Sequence, residues 1–307
     1  MNPIAATARN EHENCLQGLL FTLEPDTEAR KAERFVINVF KVREILTMQA
    51  LTRLPLSPEG FEGIVNIRGT TMPVLNLPKI LNIGGEKEPD LLLVAEICSK
   101  HVALLVHGVE SMIEVHTDAV VSAVEIFGES ESEYASALVK LGDGVTATQL
   151  DVEAILAKFM HLEQDDDPSA SGDGEGIRLS GTVLFADDSR MARGLIKSVF
   201  NEMGLDCIEA HDGQDAWERL ESMSTHPPLA LISDVEMPRL DGYALTRKVK
   251  ADARFGAVPV VVYSSLSSEA NVRMGRDCGA DAYVAKFNRA GLREGLLTVL
   301  RGRAQTA

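Results

Sequence analysis

The sequence predicts two domains of different class: a mainly β N-terminal half and a doubly wound α/β C-terminal half built on a parallel five-stranded sheet. Three observations predict it. The chain has 307 residues, enough for two cores of ordinary size. The stretch EQDDDPSASGDGEG, residues 163–176, holds acids, Gly, Ser and Pro but no large apolar side chain, so burial cannot offset its ordering entropy and it reads as a linker. The texture also changes across it, from strand-like runs broken by Gly turns to short apolar runs alternating with helix-length stretches.

In chain order, LQGLLFTL, ERFVINV, GIVNIRGTTMPVLNL, DLLLVAEI, HVALLVHGVESMIEV and ALVKLGDGVTATQL are strand-like. Residues 59–77, EGFEGIVNIRGTTMPVLNL, read as a strand, a turn at Gly69 with Arg68 projecting beside it, and a second strand. Short helices are predicted at KVREILTM, LPKILNI and DVEAILAKFM. Beyond the linker, TVLFA, DCIEA, LALIS, VPVVVY and DAYVAK are five strands, and the stretches between them start with Asp, Ser or Asn caps. LALIS and VPVVV are apolar at successive rather than alternate positions, as parallel strands covered on both faces must be.

Composition narrows the function. Hydrophobic residues make up 45% and charged residues 25% of the chain, an ordinary globular balance, and no apolar run approaches the ~20 residues that span a bilayer. The opening MNPIAATARNEHENC has no basic stretch followed by an apolar one, so a cytoplasmic protein without membrane insertion is expected. Cys15, Cys98, Cys207 and Cys278 are far apart and form no C-x-x-C pair, which fits buried reduced thiols. A formal charge of −16 with dispersed Lys and Arg argues against nucleic acid. His101, His107 and His116 lack an i, i+4 spacing and read as structural or surface residues.

In an open α/β sheet the loops past the strand C-termini form the ligand crevice. Asp187 and Asp188 follow TVLFA, Asp234 follows LALIS, Ser264 and Ser265 follow VPVVVY, and Lys286 lies in DAYVAKF. Three crowded carboxylates call for a hard cation, and an all-oxygen site of this size suits Mg²⁺. With the charge so balanced, Asp234 is expected at an exposed lip as a nucleophile toward phosphorus, forming an aspartyl phosphate held by the metal, Lys286 and Ser264. Taken singly, Asp187 and Asp188 would merely cap a helix starting near Ser189, Asp241 and Gly242 would open another, and Lys286 would be a solvated strand end. The joint order and spacing outweigh that reading, with Ser264 30 residues and Lys286 52 residues after Asp234.

Those spacings, with D-x-x-M-P-x-L-D-G over residues 234–242, resemble a response-regulator receiver domain spanning residues 178–303, a flavodoxin-like fold. The resemblance implies that Asp188, Asp234 and the backbone carbonyl of Glu236 bind Mg²⁺, with Asp187 acting mainly through water. It also implies that Ser264 is the switch hydroxyl and Tyr283 the switch aromatic. Phe287 stands where the family usually has Pro, and Ser264 where Thr is commoner.

Before the linker, N-I-R-G at 66–69, P-V-L-N-L at 73–77 and FKVREILTM at 40–48 resemble the CheW-type chemotaxis couplers, a pair of small β-barrels, over residues 13–162. The linker is then residues 163–177. The resemblance implies a partner-facing Arg68, flanked by Asn66 and Gly69, and leaves Val36, Ile37, Ile64 and Val65 open as core or interface. A coupler followed by a receiver resembles the CheV-type coupling proteins. That implies a non-enzymatic scaffold between methyl-accepting chemoreceptors and a CheA-type histidine kinase, at receptor arrays, modulated by phosphoryl transfer to Asp234. The alternative, a haloacid-dehalogenase-type phosphatase using the Asp234 nucleophile, needs a second Asp two residues on, where this chain has Glu236.

Overall fold

A computed structural model of the chain describes residues 15–26, 31–83, 87–98, 100–128, 133–160, 179–266 and 268–306. The predicted linker, residues 163–177, lies outside the described residues. The N-terminal half is built on two sheets. Strands β1 (Cys15–Thr22), β2 (Arg34–Asn38), β8 (Gly108–His116), β9 (Val120–Ser122), β10 (Ala135–Lys140) and β11 (Thr146–Leu150) form a six-stranded sheet in the order β8-β1-β2-β11-β10-β9. Strands β3 (Val42–Thr47), β4 (Phe61–Ile67), β5 (Thr70–Asn76), β6 (Leu91–Ile97) and β7 (Lys100–Val106) form the second, in the order β3-β6-β7-β5-β4. An isolated bridge from Thr52 to Ile64 draws the edges of this second sheet together.

Each sheet fills its own core: Leu20, Val36, Val120 and Val139 in one, Val65, Met72, Val74 and Leu92 in the other. Val36, Ile37 and Val65 are therefore core residues, while Ile64 is partly exposed. Helices α1 (Leu77–Ile80), α2 (Ala123–Phe127) and α3 (Val152–Met160) complete this half. Asn76 caps α1 by accepting from the Lys79 backbone N–H at 3.1 Å.

The N-I-R-G signature is a two-residue hairpin turn between β4 and β5. Arg68 (φ 51°) and Gly69 (φ 87°) both take positive φ, the type I′ pattern whose twist matches the strands it joins. Asn66 locks it, its Oδ1 accepting from the Gly69 N–H at 3.0 Å and its Nδ2 donating to Thr71 Oγ1 at 3.1 Å.

One predicted helix is not a helix. KVREILTM supplies the end of a 3-10 turn, Val39–Lys41, and then strand β3. Asn38 opens the turn as its N-cap, its Oδ1 accepting from the Phe40 N–H at 3.0 Å, and Val42 leaves it in extended conformation. The side chains from Val42 onward then alternate between half-buried and exposed, and β3 pairs antiparallel with β6. Period-2 alternation with β-branched Val42, Ile45 and Thr47, once offered a ladder partner, overrides local helical preference.

The C-terminal half alternates strand and helix: β12 (Thr182–Ala186), α4 (Arg190–Glu202), β13 (Asp206–Ala210), α5 (Gly213–Ser222), β14 (Leu231–Ser233), α6 (Gly242–Ala251), β15 (Val260–Ser264), α7 (Glu269–Asp277), β16 (Ala282–Ala285) and α8 (Arg289–Thr306). All ladders are parallel, in the order β13-β12-β14-β15-β16. The chain order switches direction beside β12 and β14, the strands that deliver Asp187, Asp188 and Asp234. Ser189, Asp212, Asp241 and Ser268 are side-chain N-caps of the four helices that follow β12 to β15.

The two halves are packed together. Helix α3 lies on α4, and Ile155 and Leu156 belong to the same continuous buried cluster as Leu195 and Val199. Among the described residues no helix is long and apolar enough to cross a membrane. The four cysteines are in no disulfide among the described residues; Cys278 is buried and Cys15, Cys98 and Cys207 are half-buried.

Candidate functional site

The buried strands β12, β14, β15 and β16 end together, and their next residues form an acidic pocket with one ammonium in it. Asp187, Asp188 and Asp234 each offer a carboxylate oxygen, all within 4.8 Å of one another. Lys286 Nζ donates to Asp234 Oδ2 at 2.8 Å and to Asp187 Oδ1 at 3.1 Å. The backbone sets the pocket's shape: the Asp234 N–H donates to Ala186 O at 2.9 Å, and the Lys286 N–H to Ser264 O at 2.9 Å. The Val235 N–H donates to Asp234 Oδ1 at 2.6 Å, leaving this carboxylate held from two sides.

Asp234 is not the exposed, unpartnered carboxylate that the sequence suggested. It is 1% exposed and ion-paired with Lys286. The lysine reaches it from 52 residues further along the chain, a proximity created only by the parallel sheet. Asp187 and Asp188 are not the helix caps of the simpler reading either. Ser189 caps α4, and Asp187 Oδ1 accepts from the Ser189 N–H at 2.9 Å. Asp241, by contrast, is the N-cap that simpler reading describes, accepting from the Ala244 N–H at 2.8 Å.

Electrostatics follow from crowding. Burial, together with the Asp234 charge, pushes the Asp187 carboxyl up to about 7 against the pull of Lys286. Burial and the Asp234 and Asp187 carboxylates likewise raise Asp188 well above the usual range. Burial would strip Lys286 of its proton, but Asp187, Asp234 and their neighbours override it and hold its pKa well above normal. One ammonium cannot neutralise three carboxylates, so the pocket takes up either protons or a cation.

The donors fit Mg²⁺. They are all hard carboxylate oxygens, and Asp187 Oδ2 is buried without a hydrogen bond, although Lys286 Nζ lies 3.1 Å away. A bound cation would compete with protons for the same oxygens. Mg²⁺ affinity is expected to rise from pH 6 to pH 8, because Asp187, raised to about 7, is increasingly ionised over that window. Calorimetric titration at pH 6, 7 and 8 checks it; an affinity independent of pH contradicts the competition.

The remaining predicted positions fall as follows. Ser264 is buried at the end of β15, its Oγ accepting from the Leu266 N–H at 3.2 Å. Tyr283 is half-buried on β16, its hydroxyl donating to Leu266 O, so Ser264 and Tyr283 grip the same loop from two sides. The Glu236 carboxylate accepts from Ser265 Oγ at 2.7 Å and lies 3.3 Å from Lys41 Nζ. Phe287, in place of the usual Pro, takes φ 60° and donates its N–H to Tyr263 Oη at 2.7 Å, a bond that Pro could not make. Asn66, Arg68 and Gly69 lie on the β4–β5 turn of the other half and do not join the pocket; Arg68 is 80% exposed by side chain and pairs with Glu44 at 2.8 Å.

Three contributors escaped the sequence reading. Arg193 is buried on α4 and donates to the carbonyls of Asp187 at 2.9 Å and Asp188 at 3.2 Å, fixing the Asp doublet from behind. Its signal was present: a charge inside the apolar stripe of Ala192, Leu195, Ile196 and Val199. Lys41 and Glu153, from the first half, carried no local signal. Their Nζ and Oε1 meet at 2.7 Å beside Glu236.

Comparison with known proteins gives two family matches. Residues 17–160 match the CheW-like domain family and residues 183–296 the response regulator receiver domain family. The chemotaxis protein CheV3 of Helicobacter pylori is 29% identical over 264 residues, covering 82% of this chain and 84% of the relative. CheV2 of the same organism is 24% identical, covering 90% of this chain and 91% of the relative. The H. pylori chemotaxis protein CheY1 is 33% identical over 120 residues, or 38% of this chain and 95% of its own.

Proposed function

The chain belongs to the CheV-type chemotaxis coupling proteins, and we propose that it links chemoreceptors to a CheA-type histidine kinase and accepts a phosphoryl group from that kinase on Asp234. The observation that carries the acceptor assignment is the Lys286 Nζ contact to Asp234 Oδ2 at 2.8 Å within a group of three carboxylates whose oxygens lie within 4.8 Å. On this reading Asp187, Asp188, Asp234 and the backbone carbonyl of Glu236 hold Mg²⁺, which when bound neutralises charge on the phosphoryl oxygens. The protein is an adaptor at receptor arrays, and its only chemistry is to assist its own modification.

In the transfer, one Asp234 oxygen bonds to phosphorus as the phosphorus–nitrogen bond to the kinase histidine breaks, and the electron pair of that bond stays on the imidazole. Lys286 stays protonated and moves its hydrogen bonds onto the incoming oxygens. The Ser264 hydroxyl turns from the Leu266 N–H toward the phosphoryl group, releasing the loop that Tyr283 also holds. The phosphatase alternative draws no support from Glu236, whose carboxylate is engaged by Ser265 and Lys41.

The test is transfer of radiolabelled phosphate from an autophosphorylated CheA-type kinase in the presence of Mg²⁺. Label is expected on the native chain and not on Asp234→Asn. Label on both proteins, or on neither, overturns the assignment.

The coupling half offers a separate prediction. Arg68→Ala removes a side chain that is 80% exposed and paired only across the surface, so stability is expected to change by about 0.5 kcal/mol or less. Binding to kinase or receptor is nonetheless expected to weaken. Thermal unfolding together with a pull-down on receptor–kinase arrays checks both; unchanged array binding removes Arg68 from the contact surface.

A further inference from the structure

We propose that the coupling domain is a lid over the phosphoacceptor: Lys41 ties Glu153 of its own domain to Glu236 of the receiver, and Asp234 is phosphorylated only when this tie opens. The proposal rests on Asp234 being the acceptor. It adds a barrier and a coupling mechanism that the assignment alone does not contain.

The first observation is enclosure. Asp234 is 1% and Asp187 0% exposed, yet in-line attack requires a donor histidine to approach an acceptor oxygen directly. Asp188, whose carboxylate oxygen lies within 4.8 Å of that of Asp234, is half-buried, so what exposure the pocket has lies on the Asp188 side and Asp234 itself offers a donor imidazole little direct approach.

The second is what encloses it. Lys41, on the 3-10 turn before β3, places Nζ 2.7 Å from Glu153 and 3.3 Å from Glu236, and all three side chains are buried. Glu236 is two residues past Asp234. Burial would lower the Lys41 pKa, but Glu153 and Glu236 reverse this and hold it well above normal. Despite burial, Glu153 is drawn down to about 2 by Lys41 and then by Lys286, so the coupling domain's carboxylate feels the receiver's own lysine. At the rim, Arg239 of the receiver reaches Glu125 of the coupling domain at 3.0 Å while also pairing with Asp212. Helices α3 and α4 back the seam with apolar contacts.

The chemistry of this tie makes it a switch rather than a weld. A buried ion pair gains specificity more than net stability, because desolvation offsets most of its attraction. Phosphorylation replaces the single Asp234 carboxylate charge with a phosphoryl group carrying about −1.5 to −2, a net gain of up to about one negative charge inside an enclosure already lined by Glu153 and Glu236. Their repulsion opposes closure, so the phosphorylated form favours separated domains. Modification at Asp234 thereby changes which surfaces of the coupling domain are free.

The experiment uses the full chain with Mg²⁺ and phosphoramidate as a small phosphodonor, so that no kinase contact intervenes. Lys41→Glu places a third carboxylate against Glu153 and Glu236, and Glu125→Lys opposes Arg239 at the exposed rim without altering the core. Labelling of Lys41→Glu is expected to be about tenfold faster than native, with a smaller gain for Glu125→Lys, the range of a typical intersite coupling. Hydrogen exchange read in parallel is expected to quicken at residues 151–155 and 233–236 in both variants, and in the native chain when beryllofluoride is added. Native labelling rates and native exchange in both variants overturn the lid. Faster exchange without labelling of any protein supports the lid and refutes Asp234 as acceptor.

Discussion

Lys286→Ala is expected to destabilise the protein by about 3–5 kcal/mol, the range for removing one partner of a buried charge pair. The ammonium is 1% exposed and lies within 3.1 Å of both Asp187 and Asp234. Deleting it leaves carboxylates facing one another in a pocket whose crowding already pushes Asp187 up to about 7. The sign of the pH dependence follows. Carboxyls raised above their unfolded values of about 4 bind protons in the folded state that the unfolded chain has released, so stability is lost as pH rises. The deficit of the variant is therefore expected to grow from pH 5 to pH 8. Mg²⁺ should restore part of it, because the cation replaces the missing charge. Denaturant unfolding at pH 5 and 8, with and without Mg²⁺, reads all three effects; a pH-independent deficit would mean that packing of the lysine stem matters and its charge does not.

Gly242→Ala is expected to cost about 3 kcal/mol, at the upper end for overpacking. In most helix first turns the same change helps, since Ala is preferred to Gly by up to about 1 kcal/mol. Here an added Cβ would sit 1.8 Å from the Asp234 carbonyl oxygen and 2.8 Å from its carbon. The obstacle is backbone at the end of β14, which cannot swing aside as a side chain could. The Gly242 N–H also donates to Val235 O at 3.0 Å, tying the start of α6 to the same loop. Relief of the clash must move Asp234, so acceptance of phosphate is expected to fall together with stability. Thermal unfolding and phosphoramidate labelling of the variant test the pair, and a native melting temperature would show that the loop yields without cost.

The carboxylate pocket was legible because its geometry is a consequence of fold class. Once five buried parallel strands are recognised, their C-terminal ends must lie side by side, and Asp187, Asp188, Asp234, Ser264 and Lys286 are the residues found there. The hairpin at Asn66–Gly69 was legible for a similar reason, since a two-residue turn needs positive φ at both positions and a side chain to close it. The strand at Val42–Thr47 was not legible as such. Six residues of mixed pattern suit a helix or a strand equally, and pairing with β6 decided between them.

By itself the sequence determined two domains, their classes, and which side chains meet at the receiver's crevice, because strand periodicity, caps and spacing are local properties. Only the tertiary structure decided that Asp234 is buried and salt-bridged, that Arg193 supports the Asp doublet, and that Lys41 and Glu153 of the other domain meet Glu236 beside the pocket. Lys41 and Glu153 are 112 residues apart in the chain, and Glu236 lies in the other domain. Contacts between surfaces that fold separately depend on shape and charge complementarity across the seam, which no local pattern encodes.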